Sequence, residues 1–364
     1  MTKLHELHEL GQSAWLDYIR RDMIETGELK NLMDQGVRGV TSNPTLFENA
    51  IAKSDLYTHD IRRYALAGKS VVEIYEALAF SDIRSACDVF APLFQESNGG
   101  DGFVSLEVPP ELSHDAPGTI AEGKRIWHEI GRPNLMVKVP ATDEGLEAIT
   151  SLIAAGVNVN VTLMFTLNDY EAVAEAYIKG LEWRAANGED VASVRSVASL
   201  FVSRVDGAVD AAAQGDVLER LSGRVALANA RLQYKAFQRI FEGERFAALK
   251  AKGAHVQRPL FASTGTKSEK LSDVLYIDGL IGSDTVNTMP PKTLAAFLDH
   301  GTVARTVDAQ YAADEALMRE CKAAGLDIGA LGAELQVKGL QSFEKSFDEL
   351  MQTIDKERSA AVHA

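Results

Sequence analysis

The sequence predicts a (β/α)8 barrel, an α/β fold with one closed parallel sheet and additional helices around it. Eight short, apolar, β-rich segments recur along the 364 residues: Ser13–Asp17, Val37–Thr41, Phe103–Glu107, Leu135–Val139, Val157–Thr162, Val197–Phe201, Pro259–Ser263 and Thr285–Asn287. Longer helical stretches separate them, and a crossover between parallel strands needs a dozen or more residues. Eight is also a strand number that closes around an interior filled by side chains. A doubly wound open sheet competes for the same element order. A third observation, the polarity of the strands, weighs against it.

In Val157-Asn158-Val159-Asn160-Val161-Thr162, valines alternate with polar residues, so one face is apolar and the other carries Asn158, Asn160 and Thr162. An open sheet covered on both faces would bury three polar groups in need of partners. In a barrel that face points inward and can build a polar network. By the same alternation Met136 joins Lys138, Phe103 and Ser105 join Glu107, and Ser13 and Trp15 join Asp17.

The remaining elements read as scaffold. His5 and His8 in HELHEL lie three apart on an amphipathic helix; the zinc motif wants its second histidine at position 9, where Glu9 stands. Ser54–Glu96 reads as helices with a turn at Gly68–Ser70, because Ala67-Gly68-Lys69-Ser70 lacks the upstream glycine of a phosphate loop. From Asp308 onward the pattern is helical, with Ser359–Ala364 expected to fray. The whole chain, 1–364, is read as a single domain, a barrel over approximately 13–300 with a C-terminal helical extension over approximately 308–358.

Hydrophobic residues make up 46% and charged residues 24%, the balance of a globular chain with a sizeable core. The formal charge of −15 argues against nucleic acid as a partner, since phosphate backbones want a basic face. An anionic substrate stays open, because a few local cations can dominate a pocket. Cys87 and Cys321, the only cysteines, suggest reduced thiols and supply neither a metal cluster nor a disulfide framework. The start, MTKLHELHELGQS, has no apolar signal-peptide core, and no apolar run reaches the roughly 18 residues of a membrane span. These features lead us to expect a cytoplasmic protein with no metal, no cofactor and no membrane partner.

Lys138 is the sharpest single feature. Leu135, Met136, Val137 and Val139 surround it in its strand, where a cation is costly to bury. Desolvation favours the neutral amine, which attacks a ketone to form a carbinolamine and then an imine. The bland alternative is a buried lysine paired with a carboxylate, Glu107 or Asp17. However, Asp17, Glu107, Lys138 and Thr162 come from four strands and share their C-terminal ends, where barrel enzymes keep their chemistry.

The segments Thr41-Ser42-Asn43-Pro44-Thr45, Ser105-Leu106-Glu107-Val108, Val137-Lys138-Val139-Pro140-Ala141-Thr142 and Asn158-Val159-Asn160-Val161-Thr162-Leu163 resemble the signature stretches of transaldolases. They stand in that family's order and spacing. Further similarity lies in Ser199–Arg204, Ala262–Lys267 and Thr285–Pro290, so the resemblance covers about Ser13 to Pro290. The stretch around Lys267 and the longer helical additions are similar to the longer bacterial branch. The resemblance implies a class I aldolase-like barrel that moves a dihydroxyacetone unit between sugar phosphates. It implies Lys138 as the Schiff-base lysine, Glu107 and Thr162 as holders of a catalytic water, and Asp17 as the acid/base for C–C cleavage. It further implies Asn43, Asn160 and Ser199 as contacts of the three-carbon unit, and Arg204 and Ser263 as a phosphate site. Much of the family carries an arginine two positions after that serine. Here the position is Gly265, and Lys267 is expected to substitute, as a point charge without arginine's bidentate fork.

Two other functions fit parts of this pattern. A fructose 6-phosphate aldolase, a lyase, uses the same Schiff base, but the resemblance gives it a tyrosine where this chain has Phe201. A silent sugar-phosphate-binding barrel would be favoured by loss of Lys138, Glu107 or Asp17, and all three are present.

Overall fold

A computed structural model describes residues 1–52 and 54–363. Its eight strands follow one another around a closed barrel: β1 (Gln12–Leu16), β2 (Val37–Val40), β3 (Phe103–Glu107), β4 (Leu135–Pro140), β5 (Val159–Met164), β6 (Ser196–Phe201), β7 (Gln257–Ala262) and β8 (Thr285–Met289). All pairs are parallel, and β1 pairs with both β2 and β8, which closes the sheet. The open-sheet alternative is thereby excluded. Every expected strand is present, with ends moved by at most two residues.

One of those moves changes a reading. Asn158 precedes β5 and does not join its inward face. Its Nδ2 donates to the Pro133 and Leu135 carbonyls at 2.9 and 3.1 Å, and its Oδ1 accepts from the Arg195 amide at 2.8 Å. A short amide side chain can satisfy backbone groups where a ladder begins, so Asn158 fastens the entries of β4 and β6. Asn160 does build the inward network. Its Nδ2 donates to Ser105 Oγ at 2.9 Å and its Oδ1 accepts from Ser199 Oγ at 2.7 Å. Three strands thus satisfy one another's buried polar groups, each of which would otherwise cost about 1–3 kcal/mol. Below that network Trp15 packs against Phe103, ring centroids 6.2 Å apart. Gly39 admits the indole, because a Cβ there would fall 2.6 Å from its ring.

The segment after position 54 forms Asp55–Tyr57, Thr58–Leu66 and Val71–Glu96. Gly68 has φ +80° in the turn, and Ser70 caps the long helix through a reciprocal pair with Glu73, so Gly68–Ser70 is a turn and a cap. The C-terminal helices are Tyr311–Ala323 and Ile328–Val362. The second stays helical through Ser359–Val362, where fraying was expected; Ala364 lies outside the described residues. Buried Ile354 and a 3.0 Å bond from Arg358 Nε to the Lys69 carbonyl hold that end down. The helix returns over the C-terminal mouth of the barrel, where Gln336 Nε2 donates to the Ala141 and Leu163 carbonyls at 2.9 and 3.2 Å. Among the described residues no helix is long and apolar enough to cross a membrane.

Candidate active site

The C-terminal strand ends enclose a cavity of about 190 Å³. Nine of the eleven residues singled out in the sequence line it: Asp17, Asn43, Lys138, Thr162, Ser199, Phe201, Arg204, Ser263 and Lys267. The other two stand one contact behind the wall. Glu107 is paired with Lys138, and Asn160 is hydrogen-bonded to Ser199. A larger cavity, about 570 Å³, opens at the opposite end of the barrel beside Arg38, Asp101 and Arg258. Much of the donor capacity of those arginines is spent on the fold, Arg258 on Ser13 and the Thr285 carbonyl and both arginines on Asp101. The smaller cavity holds Lys138, and it lies at the end where barrel enzymes work.

Register delivers the central pair. Glu107 on β3 lies beside Lys138 on β4, both directed inward by alternation. Lys138 is 4% exposed and Glu107 8%, and Nζ lies 3.0 Å from Oε2. The carboxylate partner foreseen as the alternative for Lys138 is therefore present. The hydrogen bond of the amine goes to the Ser42 carbonyl at 3.1 Å, which leaves Glu107 Oε2 without one of good geometry. Thr162 Oγ1 is buried and also has no partner among the described residues. Burial pushes the Glu107 carboxyl above its ordinary range, outweighing the pull of Lys138.

Asp17 follows β1 directly, its N–H bonded to the Met289 carbonyl at 2.8 Å and its Oδ1 accepting from Thr41 Oγ1 at 2.7 Å. It lines the cavity, yet burial raises its carboxyl, while Thr41, Lys138, Arg204 and Lys267 pull the other way. Asn43 Oδ1 caps the helix Pro44–Ala52 by accepting the Leu46 amide at 3.0 Å, which leaves its Nδ2 as the donor for the cavity.

The cations lie at one end of the cavity. Arg204 opens the helix Ser203–Ala212, with its guanidinium carbon 5.0 Å from the Phe201 ring centroid. It forms no hydrogen bond or ion pair with the described residues, and burial lowers it from the usual arginine value. Ser263 holds φ +54°, an uncommon conformation for serine that aims its hydroxyl at Ser203 Oγ, 2.9 Å away. Lys267 is exposed at the rim. If these groups hold the phosphate of the sugar phosphates that the family resemblance implies, Arg204→Ala should raise KM for fructose 6-phosphate by about 10–100-fold, the worth of one charged hydrogen bond. Reaction with unphosphorylated dihydroxyacetone should change far less. Equal losses with both would assign Arg204 to the fold, and an unchanged KM in Lys267→Ala would remove that lysine from the site.

Four contributors went unnoticed in the sequence. Thr41 orients Asp17 and meets Thr288 Oγ1 at 2.7 Å, the Ser42 carbonyl holds Lys138, and Phe343 of the C-terminal helix closes the cavity. Thr41 and Ser42 sit in a quoted motif and were within reach. Phe343 carried no signal beyond its place on an apolar helix stripe.

A lysine beside one raised carboxylate and facing another, in the mouth of a parallel barrel, is the arrangement that Schiff-base chemistry of the aldolase type requires. A family model described as Transaldolase/Fructose-6-phosphate aldolase matches residues 14–354, and the chain belongs to that family. It is 46% identical to "Transaldolase 2" of Nostoc sp., across 98% of this chain and 97% of the relative. It is 46% identical to the transaldolase of Thiobacillus denitrificans, across 97% and 100%, and 43% identical to that of Neisseria gonorrhoeae, across 96% and 99%.

Proposed function

We propose that this chain is a transaldolase of the non-oxidative pentose phosphate pathway, with the site residues in the roles that follow. Fructose 6-phosphate and sedoheptulose 7-phosphate are the donors; erythrose 4-phosphate and glyceraldehyde 3-phosphate are the acceptors. The observation that carries the reading is the Lys138–Glu107 pair, 3.0 Å apart, in a cavity shared with Asp17 and Arg204. Lys138 Nζ adds to the C2 carbonyl of the donor. Glu107, with a water held against Thr162 Oγ1, carries the proton from nitrogen to the carbinolamine oxygen, and loss of water leaves an iminium. Asp17 takes the C4 hydroxyl proton as the C3–C4 bond breaks, and its electron pair flows into the iminium. The aldose phosphate leaves and a three-carbon enamine stays on Lys138. An acceptor aldehyde is then attacked by C3, Asp17 returns the proton to its oxygen, and water releases the new ketose. The iminium is the electron sink, so the chemistry requires no metal. Both cysteines are buried and unpaired, in keeping with a reducing, cytoplasmic setting.

With fructose 6-phosphate and erythrose 4-phosphate the protein should form sedoheptulose 7-phosphate and glyceraldehyde 3-phosphate, and should release little free dihydroxyacetone. Release as fast as transfer would assign it to the lyase class. Phe201 supports transfer. Its ring lines the cavity, packed 5.4 Å from Phe165 and 5.0 Å from the Arg204 guanidinium, and offers the enamine no proton. A positioned acid is worth about 10²–10⁴-fold, and a phenol introduced by Phe201→Tyr should capture part of that. The ratio of release to transfer is then expected to rise by about tenfold. A ratio that does not move in a folded variant would make Phe201 a packing residue alone.

A further inference from the structure

The cavity wall comes from residues between Asp17 and Pro290, with one exception, Phe343 of the helix Ile328–Val362. Its ring centroid lies 5.7 Å from Lys138 Nζ, and the residue is 3% exposed. The helix is fastened on both sides of it. Two turns earlier, Gln336 bonds the Ala141 and Leu163 carbonyls at the ends of β4 and β5. One turn earlier, Gly339 lets the helix approach closely, because a Cβ there would lie 2.8 Å from Leu163 Cδ2 and 3.4 Å from Arg204 Nη1. One turn later, Ser346 Oγ meets Thr45 Oγ1 at 2.8 Å, two residues beyond Asn43. Phe347 stands edge-on to Tyr75 at 5.3 Å. Positions 336, 339, 343, 346 and 347 follow the three-and-four spacing of one helix face. Leu163, which two of these contacts grip, holds φ +59°, a conformation that persists only where its surroundings enforce it.

We propose that Phe343 is the roof of the Schiff-base pocket, placed there by the C-terminal helix to keep bulk water from the enamine and so favour transfer over release. This rests on Lys138 being the Schiff-base residue. An enamine reached by water takes a proton at C3 and becomes an iminium. A water molecule then adds at C2, free dihydroxyacetone leaves, and the Lys138 amine is restored with one water consumed. Transfer requires that the acceptor aldehyde arrive first. An apolar ring over the lysine raises the barrier to the first step without touching the acid/base groups, and excluding water from reactive intermediates is what closed sites do.

The test is the graded series Phe343→Leu, Phe343→Val and Phe343→Ala. For each, release of dihydroxyacetone from fructose 6-phosphate alone is compared with transfer to erythrose 4-phosphate, alongside thermal unfolding. The ratio of release to transfer should climb with the size of the gap, staying within about twofold of wild type for leucine and rising about tenfold for alanine. Should alanine not fold, valine carries the comparison. A flat ratio, with both rates falling in step with stability, makes Phe343 a packing residue and overturns the proposal. Borohydride trapping on the wild type separates the two readings. If Lys138 is unlabelled, the Schiff-base assignment itself fails; if it is labelled and the ratio is flat, only the role of Phe343 falls.

Discussion

Lys138→Ala is expected to abolish transfer and to leave no borohydride-stable adduct, whereas the wild type treated with fructose 6-phosphate and borohydride carries a three-carbon unit on the peptide containing Lys138. In the proposed mechanism every later step passes through a covalent bond to this nitrogen, so no partial route survives its loss. Removing the nucleophile of a covalent enzyme costs on the order of 10⁶-fold in rate. The residual reaction should therefore fall below detection in a steady-state assay. Label on another lysine, together with activity in Lys138→Ala, would displace the assignment. The same variant has a stability signature. Glu107 lies 3.0 Å from Nζ and is 8% exposed, already pushed upward by burial and pulled down chiefly by Lys138. Without the lysine the carboxyl rises further. A carboxyl raised in the folded state contributes stability below its unfolded value and loses it as pH rises through the folded one. Lys138→Ala should accordingly lose more thermal stability relative to wild type at pH 8 than at pH 5. Lys138→Met, which keeps most of the apolar stem, controls for lost packing.

The strand alternation was legible because it is local. A period of two assigned Glu107, Lys138 and Thr162 to one interior, and the parallel registers then brought Glu107 beside Lys138 and Lys138 beside Asn160. The same rule failed at Asn158, where a side chain capable of bonding backbone groups was taken up by the entries of neighbouring strands. Nor could it reveal that both polar groups of Asn160 are engaged inside the barrel, by Ser105 and Ser199. To bond a substrate, Asn160 has to share or exchange one of those partners, whereas Asn43 keeps its Nδ2 for the cavity. Phe343 stands 205 positions from Lys138 in the chain. Its pattern on the helix required only that it be buried. What it covers depends on how Gln336, Gly339 and Ser346 seat the helix, and those contacts are tertiary. The cationic end of the cavity was reached through the family resemblance, which picked out Arg204, Ser263 and Lys267, but the left-handed turn at Ser263 is a property of the folded chain.

Glu107→Gln and Asp17→Asn should stop the reaction at different species, and the mass of the trapped adduct distinguishes them. Glu107 lies against the amine, where the proposed mechanism gives it the proton traffic of carbinolamine and imine. Asp17 lines the cavity just after β1, held by Thr41 and drawn on by Lys138, Arg204 and Lys267, a position suited to the hydroxyl released at C4. General acid/base groups contribute about 10²–10⁴-fold, and each substitution should lower the overall rate by roughly that factor. In Glu107→Gln the imine itself forms slowly, and borohydride in the presence of fructose 6-phosphate leaves Lys138 largely unmodified. In Asp17→Asn the imine forms but C3–C4 does not break, so the trapped adduct on Lys138 carries six carbons and the phosphate, where wild type carries three carbons. If both variants accumulate the same species, the division of labour is wrong. Asp17→Asn also reports on stability. Burial is the largest influence on Asp17 and raises it, so at neutral pH its charge weighs against the folded state. Asparagine keeps the shape and can still accept the Thr41 hydroxyl, yet carries no charge. By the sign of that shift, the advantage of the variant should be largest above the folded value of Asp17 and should vanish as pH falls below the ordinary aspartate range. Thermal unfolding of the two proteins from pH 3 to pH 8 measures it. A higher Tm for Asp17→Asn at neutral pH that converges with wild type in acid would mean that the cavity holds this carboxylate at a cost to the fold; a gap independent of pH would mean that the residue is not desolvated there.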